Sequence, residues 1–134
     1  MKRTLFLLFI AITTLAACKK DPQEKLEGRW NQTKTHVVQT SNGTKTEDNV
    51  SYEIGKLYII FNGNTYKYYQ DGEMTGSGTF TATENSITLT QGQDKSTSKL
   101  RWNSKKEIVI TSEINETING ESFSVKAELT FRKH

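Results

Sequence analysis

The chain has very few of the residues that crosslink proteins or carry catalysis. Its single cysteine is Cys18, so no disulfide can form within the chain, and its single proline is Pro22. The two histidines, His36 and His134, are far apart, and no His-x-x-His spacing, Gly-x-Ser-x-Gly elbow or P-loop occurs. Zinc sites use three or four ligands, often cysteines. We therefore expect no metal, no cofactor and no catalytic residues.

Neither sign of charge dominates the chain. The 134 residues include 18 basic and 15 acidic side chains. Lys2 and Arg3 fall in a stretch predicted to be removed, which leaves 16 basic against 15 acidic residues. The basic residues are scattered, whereas a nucleic-acid-binding protein gathers them in a stripe with aromatic residues between them. Binding to nucleic acid is therefore disfavoured.

The chain also lacks an apolar run long enough for a membrane-spanning helix, which needs about 20 residues. Its apolar run covers residues 5–17, follows Lys2 and Arg3, and is typical of a signal peptide. It ends in Leu-Ala-Ala-Cys at residues 15–18, which resembles the bacterial lipobox. That resemblance implies removal of residues 1–17 and attachment of lipid to Cys18, which would anchor the mature protein in a membrane.

Residues 18–27 are predicted to be the lipidated cysteine and a polar tether, because residues 19–27 are too polar to form a core. Lys19 follows Cys18, where an aspartate would resemble the inner-membrane retention signal of enterobacterial lipoproteins. The resemblance implies an outer-membrane lipoprotein of a Gram-negative envelope. Whether it faces the periplasm or the cell surface stays open.

Residues 28–134 show short β-type segments separated by turn signals such as Asn42-Gly43, Asp71-Gly72 and Asn119-Gly120. The last segment, residues 122–132, alternates strictly between apolar and polar side chains, which predicts a strand with one buried face. Residues 45–51 could be an edge strand or a loop. Closing a sequential meander removes exposed strand edges. We therefore predict an all-β fold, a single up-and-down antiparallel barrel of about eight strands, with no helix required.

The segment Leu26-Glu27-Gly28-Arg29-Trp30 resembles the Gly-x-Trp signature of lipocalins, and residues 129–132 are similar to their final strand. The resemblance implies a lipocalin-like barrel over residues 28–134 whose floor contains Gly28, Trp30 and Arg132. In that family the arginine packs on the tryptophan ring, a cation–π contact of about 0.5–2 kcal/mol. This chain is shorter than typical lipocalins, so its cup is expected to be smaller or filled.

The chain has more tyrosine than a tidy core needs, because a buried phenol requires a hydrogen-bond partner. The aromatic residues Tyr58, Tyr66, Tyr68, Phe80 and Trp102 are therefore predicted to line a ligand-binding cup. His36 is predicted to join them, because alternation along its strand places it on the same side as Trp30. Alternatively, the tyrosines form outward cross-strand pairs. A register slip of one residue exchanges the two arrangements, so both stay open.

The resulting hypothesis is a monomeric, membrane-anchored envelope lipoprotein that binds a small amphiphilic or apolar ligand. The alternative is a scaffold or inhibitor that binds another protein through its outer face or through residues 71–76 and 115–121.

Overall fold

A computed structural model describes residues 20–134, which form one short helix and nine antiparallel strands. Helix α1 spans Pro22–Lys25. The strands are β1 Gly28–Ser41, β2 Thr44–Ser51, β3 Leu57–Asn62, β4 Thr65–Gln70, β5 Glu73–Ala82, β6 Ser86–Gln91, β7 Asp94–Ser104, β8 Glu107–Ile118 and β9 Glu121–Lys133. The predicted signal peptide and Cys18 lie outside the described residues.

The sheet closes through β1, which pairs with β3 along one edge and with β9 along the other. Strands β3 to β9 follow one another as a meander, so β1 and β3 to β9 form a closed eight-stranded barrel. Strand β2 pairs with the second half of β1 and is the extra, ninth strand. The predicted all-β antiparallel barrel is confirmed, and residues 45–51 belong to an edge strand.

Three hairpins turn through an Asn-Gly or Asp-Gly pair whose two residues both have positive φ. The pairs are Asn42 and Gly43 (48° and 81°), Asp71 and Gly72 (50° and 83°), and Asn119 and Gly120 (52° and 79°). Two-residue turns of this kind match the right-handed twist of the strands that they connect. The turn positions predicted from the sequence are confirmed here.

The close-packed part of the core lies at the end of the barrel that α1 covers, which we call the floor. Trp30 and Leu26 are completely buried there. Other buried side chains of the core cluster are Ile59, Phe61, Tyr66, Phe80, Ile87, Leu100, Ile108, Ile110 and Phe131. Every strand of the closed barrel contributes at least one of these side chains, so the barrel interior at the floor is filled with protein.

The segment that precedes β1 differs from the polar tether expected there. The Asp21 carboxylate caps α1 by accepting a hydrogen bond from the Gln23 backbone N–H (3.1 Å). The Glu27 carboxylate accepts one from the Gly63 N–H (3.0 Å), which fastens the segment to the β3–β4 turn. Leu26 then enters the core. The polar composition of the segment did not predict this packing, because Leu26 is the one apolar residue that it contributes to the core.

At the opposite, upper end, the strands have unequal lengths. The second half of β1, all of β2, and long parts of β8 and β9 pair with one another. We call this four-stranded sheet the extension and define it as residues 34–41, 44–51, 111–118 and 121–130. It continues one side of the barrel wall beyond the short strands β3, β4 and β6.

Candidate functional site

The floor is built around Trp30, as the sequence predicts. The Trp30 indole N–H donates a hydrogen bond of 2.7 Å to the Leu26 carbonyl oxygen, so its one polar atom is satisfied in the buried site. Gly28, just before it, has φ +111°, a conformation that other residues rarely adopt. This bend lets the chain pass from α1 into β1 with Trp30 facing inward.

The cation over Trp30 is Lys133 and not the predicted Arg132. The Lys133 ammonium lies 5.5 Å from the centre of the Trp30 ring and donates a 3.4 Å hydrogen bond to the Lys25 carbonyl oxygen. Phe131 is buried, so side-chain alternation places Lys133 on the same inner face and Arg132 on the outer one. Arg132 is accordingly exposed.

Three of the predicted cup residues face the interior but lie where it is filled. Phe80 is 1% exposed and its ring centre lies 4.6 Å from that of Phe61. Tyr66 is also buried. Trp102 lies at the floor, 6.0 Å from Trp30 in an edge-to-face arrangement. These side chains stabilise the closed end of the barrel, so they do not line its open end.

Tyr58 lies on the outer face of the barrel. Its ring stacks on that of Tyr69, its partner on β4, with 4.8 Å between ring centres. The Arg29 guanidinium covers the Tyr58 ring at 3.8 Å. The alternative of outward cross-strand pairs is therefore the one that the structure shows for these two tyrosines.

His36 also faces outward, because β1 contains a bulge. The pairing of β1 with β9 shifts between Gln32 and Lys34, so one extra residue reverses the alternation that the sequence suggested. The His36 Nε2 atom lies 3.6 Å from a Glu47 carboxylate oxygen. A hydrogen bond and charge attraction from Lys45, with a smaller contribution from His36, lower the pKa of Glu47.

Tyr68 is the one predicted cup residue that lies above the packed core and faces inward. Its hydroxyl donates a hydrogen bond to the Gln32 side-chain oxygen, and Gln32 in turn donates one of 2.9 Å to the Thr35 hydroxyl. Gln32 is only 3% exposed. Loss of either hydrogen-bond partner would leave a buried polar atom of the Gln32 amide unpaired and destabilise the fold. Tyr68, Gln32 and Thr35 form a polar base for the upper end of the barrel.

We expect Tyr68 to ionise later than an ordinary tyrosine. Burial, with a smaller contribution from Tyr52, raises the pKa of Tyr68 above its usual value of 10.0. A group with a raised pKa stabilises the fold fully below its unfolded pKa, and this contribution is lost as pH rises through the folded pKa. Stability should therefore fall above about pH 10. Absorbance titration at 295 nm should show that Tyr68→Phe removes a phenol that ionises above pH 10, and that this phenol is still present in Tyr69→Phe.

Above this polar base, the inner face of the extension carries exposed apolar side chains. Leu129 packs against the core, and alternation along β9 brings Val125 and Phe123 onto the same face. Cross-strand pairing adds Ile114 of β8, opposite Val125. The large exposed members of this inner apolar face are Val50 (41%), Ile114 (57%), Ile118 (58%) and Phe123 (38%).

A groove of about 420 Å³ lies at the far end of this face, lined by Ser41, Ile118, Asn119, Glu121, Ser122 and Phe123. Its volume falls within the roughly 300–1,000 Å³ of small-molecule sites. The register also places three carboxylates on the same face, from Asp48 opposite Val37, Glu116 opposite Phe123 and Glu121 opposite Ile118. The inner face of the extension contains no lysine or arginine.

The predicted ligand cup did not include Ile114, Ile118, Glu116 or Glu121, although residues 115–121 were predicted as a candidate protein-binding segment. A signal was present, because Ile114 and Ile118 continue the alternation of Ile108 and Ile110 beyond the part of β8 that the core needs. Their exposure could only be recognised once the length of the neighbouring strands was known.

Comparison with protein-family models, with curated proteins and with solved structures gives no match. Among residues 20–134, no helix is long and apolar enough to cross a membrane. Within the same residues, no group of three histidine, cysteine, aspartate or glutamate side chains is arranged to hold a metal ion.

Proposed function

We propose that this protein is an outer-membrane lipoprotein, anchored through Cys18, whose barrel binds a small amphiphilic molecule at its upper end. The observation that carries the ligand proposal is the inner apolar face, which stands exposed above the polar base of Tyr68 and Gln32. The lipobox-like residues 15–18 and the resemblance to lipocalins support the anchor and the binding class.

The arrangement favours a ligand with both a polar and an apolar part. Four large aliphatic or aromatic side chains are more than a third exposed on one face. Covering such surface with an alkyl chain contributes about 25 cal/mol per Å² of apolar area. The Tyr68 and Thr35 hydroxyls at the base retain hydrogen-bonding capacity and can bind a polar group, which would fix the orientation of the ligand.

The charges of the inner face favour a neutral or cationic amphiphile over an anionic one. Asp48, Glu116 and Glu121 lie on this face, and no basic side chain balances them there. The carboxylates are exposed, so each contributes little, about 0–1 kcal/mol. Together they should still make an alkylammonium ion bind several-fold more tightly than a carboxylate of equal chain length.

Titration calorimetry with octylammonium, octanol and octanoate tests this proposal on the full processed protein in lipid nanodiscs, with empty nanodiscs subtracted. We expect octylammonium to bind most tightly. Ile114→Asp should weaken octanol binding about tenfold, because it places a charge in the apolar face. Met74→Asp is the matched control, since Met74 is 55% exposed and pairs with the outward Tyr69. Equal effects of the two substitutions would contradict a site on the inner face.

The anchor is tested separately by the intact mass of the protein expressed in a Gram-negative host. We expect the mass of a chain that begins at Cys18 and carries acyl groups. Cys18→Ser should abolish both the processing at that position and the acyl mass. A wild-type chain without acyl mass would contradict the anchor and leave the ligand proposal standing.

The alternative function, binding another protein, would use the same exposed side chains. Residues 71–76 and 115–121 are not long loops, since most of them lie in β5, β8 and β9 next to two-residue turns. Crosslinking from position 118 in intact cells decides between the two functions. A reproducible protein adduct that Ile114→Asp abolishes would favour the protein partner over the small ligand.

A further inference from the structure

A second groove lies at the floor, at the end of the barrel opposite the inner apolar face. Its volume is about 820 Å³, and its lining residues are Lys20, Lys25, Glu84, Trp102, Ser104, Lys105 and Lys133. We call it the floor groove. The packed core closes the barrel above it, so a ligand in this groove would be separate from one at the upper end.

The charge of the floor groove is strongly basic. It brings together four lysines and a single carboxylate, and the one ion pair among the described lining residues joins Lys25 to Glu84 at 2.9 Å. Lys20, Lys105 and Lys133 are thus left without a carboxylate partner within residues 20–134. Like charges that converge in a concave surface repel each other, and a bound anion would relieve that repulsion.

One of the side chains that line the floor groove also has a hydrogen-bond donor without an acceptor. The Trp102 indole nitrogen is buried and has no partner among the described residues. By contrast, the other indole, Trp30, donates to the Leu26 carbonyl oxygen. A buried N–H left unpaired is destabilising, so such groups in native proteins call for an explanation. An oxygen of an anion bound in the groove would supply the missing acceptor once the Trp102 ring turns to bring its N–H to the groove surface.

We propose that the floor groove binds the phosphate group of an anionic lipid headgroup and so seats the barrel with its floor against the membrane. Lysine ammonium groups bind phosphate as point charges, and each lysine near an anionic membrane surface adds to the attraction. The orientation rests on the proposed anchor, because Lys20 is only two residues from Cys18 in the sequence. Lipid on Cys18 would hold this end of the barrel, and not the extension, at the bilayer.

The indole N–H resonance of Trp102 in a ¹⁵N–¹H spectrum tests the site directly, with Trp30 as an internal reference. The full processed protein is placed in phosphatidylcholine nanodiscs that contain increasing fractions of phosphatidylglycerol. We expect the Trp102 resonance to shift with the phosphatidylglycerol fraction and the Trp30 resonance to shift less, because the Trp30 N–H already donates to the Leu26 carbonyl oxygen. Sodium phosphate added to pure phosphatidylcholine nanodiscs separates the two sources of phosphate. A shift in this arm shows that the groove also takes free phosphate.

The matched variants reverse two charges of the floor groove or the same number elsewhere. Lys20→Glu with Lys105→Glu should raise the phosphatidylglycerol fraction needed for half of the shift about tenfold. Lys95→Glu with Lys67→Glu makes the same change in net charge at exposed positions outside the groove, and should change that fraction less than twofold. Equal responses of the two pairs, or no shift with phosphatidylglycerol, would overturn the proposal, and a shift with sodium phosphate alone would overturn the seating of the floor on the membrane.

These outcomes are separable from those of the proposed function. Loss of acyl mass at Cys18 would remove the membrane orientation, and the phosphate arm would still report on the groove. Octylammonium binding at the upper end would be unchanged by Lys20→Glu with Lys105→Glu, since the packed core lies between the two sites.

Discussion

Trp30→Ala is expected to lower the free energy of unfolding by about 3–5 kcal/mol, the range for an aromatic side chain removed from a core. Trp30 is completely buried, packs edge-to-face on Trp102 and lies beneath Lys133. Its removal also leaves the Leu26 carbonyl oxygen without the indole donor. Urea denaturation followed by circular dichroism measures the loss.

Two further variants separate the contributions of Trp30. Trp30→Phe keeps an aromatic ring but removes the N–H donor, so its cost should be smaller than that of Trp30→Ala. Trp102→Ala, at a side chain that is only partly buried, should also cost less. A loss below about 1 kcal/mol for Trp30→Ala would show that the floor does not depend on this residue.

Gly78→Ala is expected to destabilise the barrel by about 3 kcal/mol or more, at the upper end of overpacking costs. A Cβ atom on Gly78 would overlap the carbonyl oxygen of Thr90 and lie 3.0 Å from the Tyr66 ring. The obstructing oxygen belongs to the backbone of β6, so it cannot move aside as a flexible side chain would. Either the β5–β6 pairing opens or the fold is lost.

Gly76 provides the control for Gly78, because it lies two residues earlier on the same face of β5. A Cβ atom there would meet only the Tyr68 Cβ atom, at an ordinary 4.0 Å. Gly76→Ala should therefore be neutral or stabilise by up to about 1 kcal/mol, through loss of freedom in the unfolded chain. Equal melting temperatures for Gly76→Ala and Gly78→Ala would contradict the close approach of β5 to β6.

The alternation of apolar and polar residues, together with the turn pairs, predicted most of the fold. In β9, Phe131 and the alternate residues before it predict a strand with one inner face, and the Asn-Gly and Asp-Gly pairs locate three turns. The position of Trp30 just after Gly28 predicted the floor. These are local properties, set by side-chain period and by the few residues that accept positive φ.

The register of single residues decided which of the predicted side chains face the barrel interior. The bulge near Thr33 places His36 on the outer face. Neither the composition nor a motif in the sequence predicted this bulge. Lys133 rather than Arg132 lies over Trp30, although the alternation from Phe131 already pointed to it and the family resemblance pointed to its neighbour. Tyr58 and Tyr68 differ in face only because register sets them on opposite sides of the sheet.

By itself, the sequence determined the all-β class, the turn positions, the tryptophan at the floor and the prediction of a lipidated Cys18. Only the tertiary structure decided that β1, β2, β8 and β9 outreach their neighbours, which exposes Ile114 and Ile118. The tertiary structure also brings four lysines to one groove, namely Lys20, Lys25, Lys105 and Lys133. The physical reason is that strand period and turn geometry act over a few residues. Exposure and charge convergence depend instead on where strands distant in the sequence end.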